Sequence, residues 1–229
     1  MIEPDQQPTR ILAIRHGETA WNVDGRIQGQ LDVALNETGR WQAHRLALAV
    51  AEEEIAAVYS SDLLRALETA QAVARGRGLP VATEVGLRER GFGEFEGLTY
   101  AGISQRWPEM AERWRKRDPS FGAPGGETLN WFYARSVATA TRLAALHPGQ
   151  TIALVSHGGV MDCLYRAAAR LALDAPRSWQ LGNTAINRLL YTPQGFTLVG
   201  WSDTCHLDDD AQGGYADVDA PPKPSKAAA

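Results

Sequence analysis

Apolar runs of strand length recur along this chain of 229 residues. They are "RILAIR" at 10–15, "AAVYS" at 56–60, "TIALVS" at 151–156, "NRLLYT" at 187–192 and "TLVGWS" at 197–202, with a shorter "PVATE" at 80–84. Between them, apolar positions recur at the spacing of one buried helix face. Trp41, Leu46 and Val50 mark a helix over 37–53, and Leu63, Leu67, Ala70 and Val73 another over 62–75; two more are expected over 127–146 and 160–171. Asn36 or Thr38 can cap the first, and Ser61 or Asp62 the second. Strands alternating with helices of this length need crossover connections. The pattern therefore predicts an α/β fold, a single-domain three-layer α/β/α sandwich with a mostly parallel sheet. "TPQG" between the last two strands signals a hairpin and hence one antiparallel edge strand.

The alternation breaks between Gly91 and Gly126, a stretch rich in glycine, interrupted by Pro108 and Pro119 and carrying "RWPEMAERWRKR". We read 91–126 as an excursion over the ligand side of the sheet, a lid or pocket wall. The domain is expected to fill 1–207. From Asp208 to Ala229, Gly, Pro, Ala and charge occur without periodicity, and a flexible tail is expected there.

Charge narrows the partners. A formal net charge of −4 offers no global attraction to polyanions, so neither nucleic acid nor an anionic membrane is expected as a partner, and any anion site must be local. No apolar run approaches the roughly 18 residues of a membrane-spanning helix. The N-terminal "MIEPDQQPTR" lacks the pattern of a secretory signal, and Cys163 and Cys205 form no CxxC spacing. A cytoplasmic protein is expected; the pattern is silent on oligomeric state.

The candidate chemistry lies in a pattern that occurs twice, an apolar strand ending in His-Gly: "ILAIRHGET" at His16-Gly17 and "IALVSHGGV" at His157-Gly158-Gly159. Ligands of open α/β sheets bind at the carboxyl ends of the strands, so two parallel strands can bring both imidazoles to one crevice. The glycines permit positive φ and close backbone approach, and a helix starting near Val160 would aim free amides at the same spot. Arg15 beside His16 matches phosphate oxygens with its fork and disfavours imidazolium, leaving His16 neutral and nucleophilic. His44, His147 and His206 carry no such context and are read as structural. Neither His16 nor His157 has HxH, HxxxH or Cys-His spacing, so no metal site is predicted.

"RHGET" followed by Asn22, then "SSDLLRALETA", "LRERGFGEFEG" and "VSHGG", in this order, resembles the histidine phosphatase superfamily, or phosphoglycerate mutase-like family, over about residues 9–201. The resemblance implies that His16 is the nucleophile that becomes a phosphohistidine, that Arg15 and Arg65 hold the phosphate oxygens, and that His157 completes the pocket. It implies no metal and no cofactor. Spacing alone does not rank Glu84, Glu89, Glu94 and Glu96 as the proton donor; the family pattern carries that role to Glu89. Asn22, Thr19, Gln28 and Gly158 are implied to line the phosphate pocket. Glu127 and Thr128 resemble a family helix start and are read as structural.

The implied activity is a metal-independent phosphomonoesterase acting on a small phosphorylated metabolite. A phosphoglycerate mutase is the alternative, and a non-catalytic phosphate-binding module a third. Family mutases carry "ERHYG" where this chain has "ERGFG", which places the resemblance in the phosphatase branch. The basic-aromatic stretch 106–117 is either an amphipathic helix with Trp107 and Trp114 inward or a recognition surface for an anionic or ring-bearing substrate.

Overall fold

The computed structural model describes residues 7–208. The tail expected from Asp208 lies outside that range apart from Asp208 itself. Six strands form one sheet: β1 (Thr9–Arg15), β2 (Ile55–Ser60), β3 (Val81–Thr83), β4 (Thr151–Ser156), β5 (Ile186–Thr192) and β6 (Gly195–Asp203), in the order β3-β2-β4-β1-β5-β6. β3, β2, β4 and β1 are parallel, while β5 runs antiparallel to β1 and to β6. The predicted hairpin joins β5 and β6 through Pro193 and Gln194.

β1 and β4 are central and buried on both faces, hence their nearly unbroken apolar sequence. Alternate residues of β1 serve opposite layers. Ile11 and Ala13, with Ile152 and Leu154 of β4, pack under α6 (Leu129–Ala144) and α7 (Gly158–Ala169). Leu12 and Ile14, with Ala153 and Val155, pack under α2 (Glu37–Ala49) and α3 (Leu64–Ala74). This is the predicted three-layer sandwich. A short helix, α1 (Ala20–Val23), follows β1.

Helix starts test the capping expectations. Asn36 caps α2, its side chain accepting from the Gly39 N–H at 2.7 Å. Neither Ser61 nor Asp62 caps α3, which starts later, at Leu64. Its Leu64 N–H instead donates to Asp32 Oδ1 at 2.7 Å, a cap delivered by a loop distant in sequence. Asp62 is taken by Arg88, 2.5 Å away, and is held below the usual carboxylate range by that bond.

Residues 91–126 contain α4 (Tyr100–Arg106) and α5 (Pro108–Arg115). They build a satellite core of Phe92, Phe95, Ile103, Ala111, Phe121 and Ala123, to which Ile27 adds from the main body. Trp107 and Trp114 pack against this core, and Arg113 and Arg115 pair with Asp118 and Glu112 at the surface. The stretch 106–117 is therefore chiefly an amphipathic segment serving its own core.

Candidate active site

Parallel register sets the two histidines side by side. Arg15 pairs with Ser156 across β1 and β4, and the His16 N–H donates to the Ser156 carbonyl at 2.9 Å. The imidazole of His16 and that of His157, the residue preceding α7, have ring centroids 5.2 Å apart. Both are buried.

His16 Nδ1 lies 2.7 Å from the Gly17 carbonyl. A carbonyl only accepts, so Nδ1 carries the proton and Nε2 presents a lone pair. Burial, then the charges of Arg65 and Arg15, lower the pKa of His16 well below that of free imidazole. Burial followed by Arg65, His16 and Arg15 does the same to His157. Neither ring nitrogen of His157 has a hydrogen-bond partner.

The Gly17 position admits no side chain: a Cβ there would lie 2.5 Å from the Gly39 carbonyl oxygen of α2. Close approach, as predicted, is what this glycine provides. Positive φ is not, since neither Gly17 nor Gly158 nor Gly159 adopts it.

Two guanidiniums flank the imidazoles. Arg15 is fully buried at the end of β1 and donates to the Leu181 carbonyl. Arg65, in the first turn of α3, is 1% exposed. Its Nη2 and Nη1 donate to the carbonyls of Gly29 and Leu31 at 2.7 and 2.9 Å, so the loop after Gln28 wraps over it. Thr69, one turn on, accepts from the Gly17 N–H at 3.1 Å and ties α3 to the His16 loop.

Thr19, Asn22 and Gln28 form one buried cluster. Thr19 Oγ1 lies 3.1 Å from both Asn22 Oδ1 and Gln28 Oε1, and the Thr19 N–H donates to Asn22 Oδ1 at 3.0 Å. This capping box fixes the Asn22 amide, leaving its buried Nδ2 donor without a partner.

Structure separates the four glutamates that spacing could not. Glu94 is exposed, Glu84 pairs with Arg142, and Glu96 Oε1 accepts the N–H groups of Gln30 and Phe92. Glu89 is 3% exposed; its Oε1 accepts from the Arg90 N–H at 2.7 Å and its Oε2 from the Gly159 N–H at 2.9 Å, two residues from His157. The start of α7 thus holds a carboxylate, which its dipole favours, on an amide that had been expected to face the phosphate. Gly158 stands between His157 and that amide.

Among the described residues no group of three or more His, Cys, Asp or Glu is placed to hold a metal ion, and no helix is long and apolar enough to cross a membrane.

The family model described as "Histidine phosphatase superfamily (branch 1)" matches residues 11–204. The chain belongs to that superfamily. Phosphoglycerate mutase-like protein 4 of Arabidopsis thaliana is 39% identical to this chain over 209 residues, covering 90% of each. The metal-independent phosphoserine phosphatase of the same plant is 34% identical, covering 90% of this chain and 86% of its own. A solved mycobacterial glucosyl-3-phosphoglycerate phosphatase, complexed with VO3, superposes with a TM-score of 0.76 at 32% identity, covering 85% of this chain and 99% of its own.

Several residues that serve the site are not legible in the sequence. Asn183 Nδ2 donates to the His16 carbonyl at 2.9 Å, and the Thr184 N–H to that of Arg15 at 3.1 Å, so the loop before β5 braces both. Ser156 Oγ donates to the Leu87 carbonyl at 2.6 Å and draws the Glu89 loop to the end of β4. None shows in periodicity; Ser156 lies inside "VSHGG", but the motif gives no sign of its bond to Leu87, and Asn183 and Thr184 lie outside every motif.

Proposed function

We propose that the protein is a metal-independent phosphomonoesterase that hydrolyses a small phosphorylated metabolite through a phosphohistidine on His16, with Glu89 as general acid and base. The observation that supports this most is the 2.7 Å contact of His16 Nδ1 with the Gly17 carbonyl, which assigns the ring proton to Nδ1 and leaves Nε2 a lone pair, on a ring 5.2 Å from that of His157 and beside two buried guanidiniums. The phosphoryl group would rest on Arg15, Arg65, His157 and the unpartnered Asn22 Nδ2. These are preorganised donors for charge that spreads over the equatorial oxygens in the transition state.

In the first step His16 Nε2 forms the P–N bond as the ester P–O bond breaks, and the departing alkoxide takes a proton from Glu89. A phosphate dianion beside the carboxyl favours its protonated form beforehand. In the second step Glu89 accepts a proton from water as its oxygen attacks phosphorus, the P–N bond breaks and neutral His16 returns. Gln28, Thr19 and Gly158 hold the pocket walls, and residues 91–126, joined to the loop that carries Glu89, act as its lid. A name such as metal-independent phosphoserine phosphatase on a relative accords with this reading.

The experiment is a rapid acid-free quench with radiolabelled substrate in the presence of EDTA. Label is expected on the wild-type protein, labile to acid, and none on His16→Ala, which is also expected to be inactive. A fully active His16→Ala, or activity abolished by EDTA, refutes the mechanism. The phosphoglycerate mutase reading rests on the name of the 39%-identical relative. Isomerisation of 3-phosphoglycerate faster than its hydrolysis, with a bisphosphoglycerate primer, would select it.

A further inference from the structure

Glu127, read above as part of a helix start, forms with Arg135 of α6 an ion pair that has gathered the backbone around Glu89. Arg135 Nε and Nη2 meet Glu127 Oε1 and Oε2 at 2.9 and 2.8 Å, with both side chains 17% exposed. The remaining donors of the guanidinium reach three carbonyls of the acid's loop: Nη1 reaches Gly86 at 2.9 Å and Arg88 at 3.0 Å, and Nη2 reaches Glu89 at 3.3 Å. On the far side, Glu127 Oε2 accepts from the Gly91 N–H at 2.8 Å.

The main chain of Glu127 joins the same loop. Its N–H donates to the Gly91 carbonyl at 2.7 Å, and its carbonyl accepts from Arg90 Nε at 3.0 Å. Arg90 reaches on to the Phe121 carbonyl at 2.5 Å, and its burial lowers its pKa to about 10. Backbone groups on both sides of residue 89 are thus bonded to one ion pair, while the Glu89 carboxyl is bonded by two N–H groups. The planar fork of arginine suits three carbonyls and a carboxylate at once; an ammonium does not.

We propose that the Arg135–Glu127 pair is the positioning element of the Glu89 carboxyl, acting on proton transfer to the leaving group and not on phosphate binding. This rests on the proposed role of Glu89. A displacement of about 1 Å in a catalytic group costs on the order of 10²-fold in rate, and the loss concentrates where the leaving group most needs a proton.

The test compares p-nitrophenyl phosphate, a good leaving group, with phenyl phosphate, a poor one, for wild type, Arg135→Lys, Glu127→Gln, Glu89→Gln and the double variant Glu89→Gln/Arg135→Lys. Thermal unfolding is followed for each. We expect Arg135→Lys and Glu127→Gln to lose at least about tenfold more kcat/KM, which reports the step that expels the leaving group, on phenyl than on p-nitrophenyl phosphate. Arg135→Lys should cost little further in the Glu89→Gln background. Equal losses on both substrates or additive losses in the double variant overturn the proposal. So does loss of the folded state in both single variants, which would make the pair structural. An active wild type with additive losses refutes the clamp alone, whereas indifference of the Glu89→Gln variant to the leaving group refutes the role of Glu89 and the clamp with it.

Discussion

Asn22 and Gly159 show how much a single atom decides in this site. The Asn22 side chain uses its oxygen to close the capping box and leaves its amide nitrogen without a partner, the donor proposed above to meet a phosphate oxygen. Asn22→Asp keeps the accepting oxygen and replaces the donor with negative charge. It is expected to raise KM for p-nitrophenyl phosphate at least about tenfold through like-charge repulsion, with the unfolding midpoint nearly unchanged; an unaltered KM would remove Asn22 from the phosphate site. At Gly159 a Cβ would come 2.2 Å from Glu89 Oε1 and 3.0 Å from the Phe132 ring. Gly159→Ala must displace the carboxyl, so kcat/KM for phenyl phosphate is expected to fall more than that for p-nitrophenyl phosphate. Equal falls would show that Glu89 tolerates the shift.

Among the elements, α3 carries Arg65, proposed to hold the phosphate, and its start depends on a loop. The amphipathic face read from the sequence is present: Ala70 and Val73 are buried with Ala66 and Ala74, while Leu67 is only partly covered. What periodicity could not show is that Arg65, off that face, is buried because the chain around Gly29 and Leu31 folds over it. Gly29 makes the passage with φ of +50°, where a Cβ would strike the Glu96 carboxylate. Asp32, next in that loop, caps α3. Asp32→Ala is expected to cost about 1 kcal/mol of stability, as loss of an N-cap does, and to weaken phosphate binding through the loosened Arg65 turn. An unfolding midpoint and phosphate affinity equal to wild type would reduce the cap to a surface contact.

For the molecule as a whole, two buried neutral imidazoles make stability depend on pH. In the unfolded chain each takes up its proton near the ordinary value of 6.5, whereas in the fold it does so only well below that. Between those values the unfolded state binds more protons, so the contribution of this pair is full above about pH 6.5 and is lost as the pH falls. The unfolding midpoint of wild type is expected to drop below pH 6.5 more steeply than that of His157→Asn. Identical slopes would show that the imidazole is not held neutral.

The alternation of short apolar runs with helical periods determined the layered α/β fold, because each burial pattern is a property of neighbouring residues. It likewise placed His16 and His157 at strand ends, and parallel pairing with a fixed register then made them neighbours. The motif order supplied Arg65 and Glu89 only by likeness. Tertiary structure decided what distinguishes Glu89 from three other glutamates, what buries Arg65, and why Glu127 is more than a helix start. Those contacts join residues far apart in the chain, 46 positions from Arg135 to the Glu89 carbonyl and 167 from Asn183 to that of His16. Periodicity reports which face of an element is buried; which polar groups meet across that distance depends on the packing of loops, and loops carry no period.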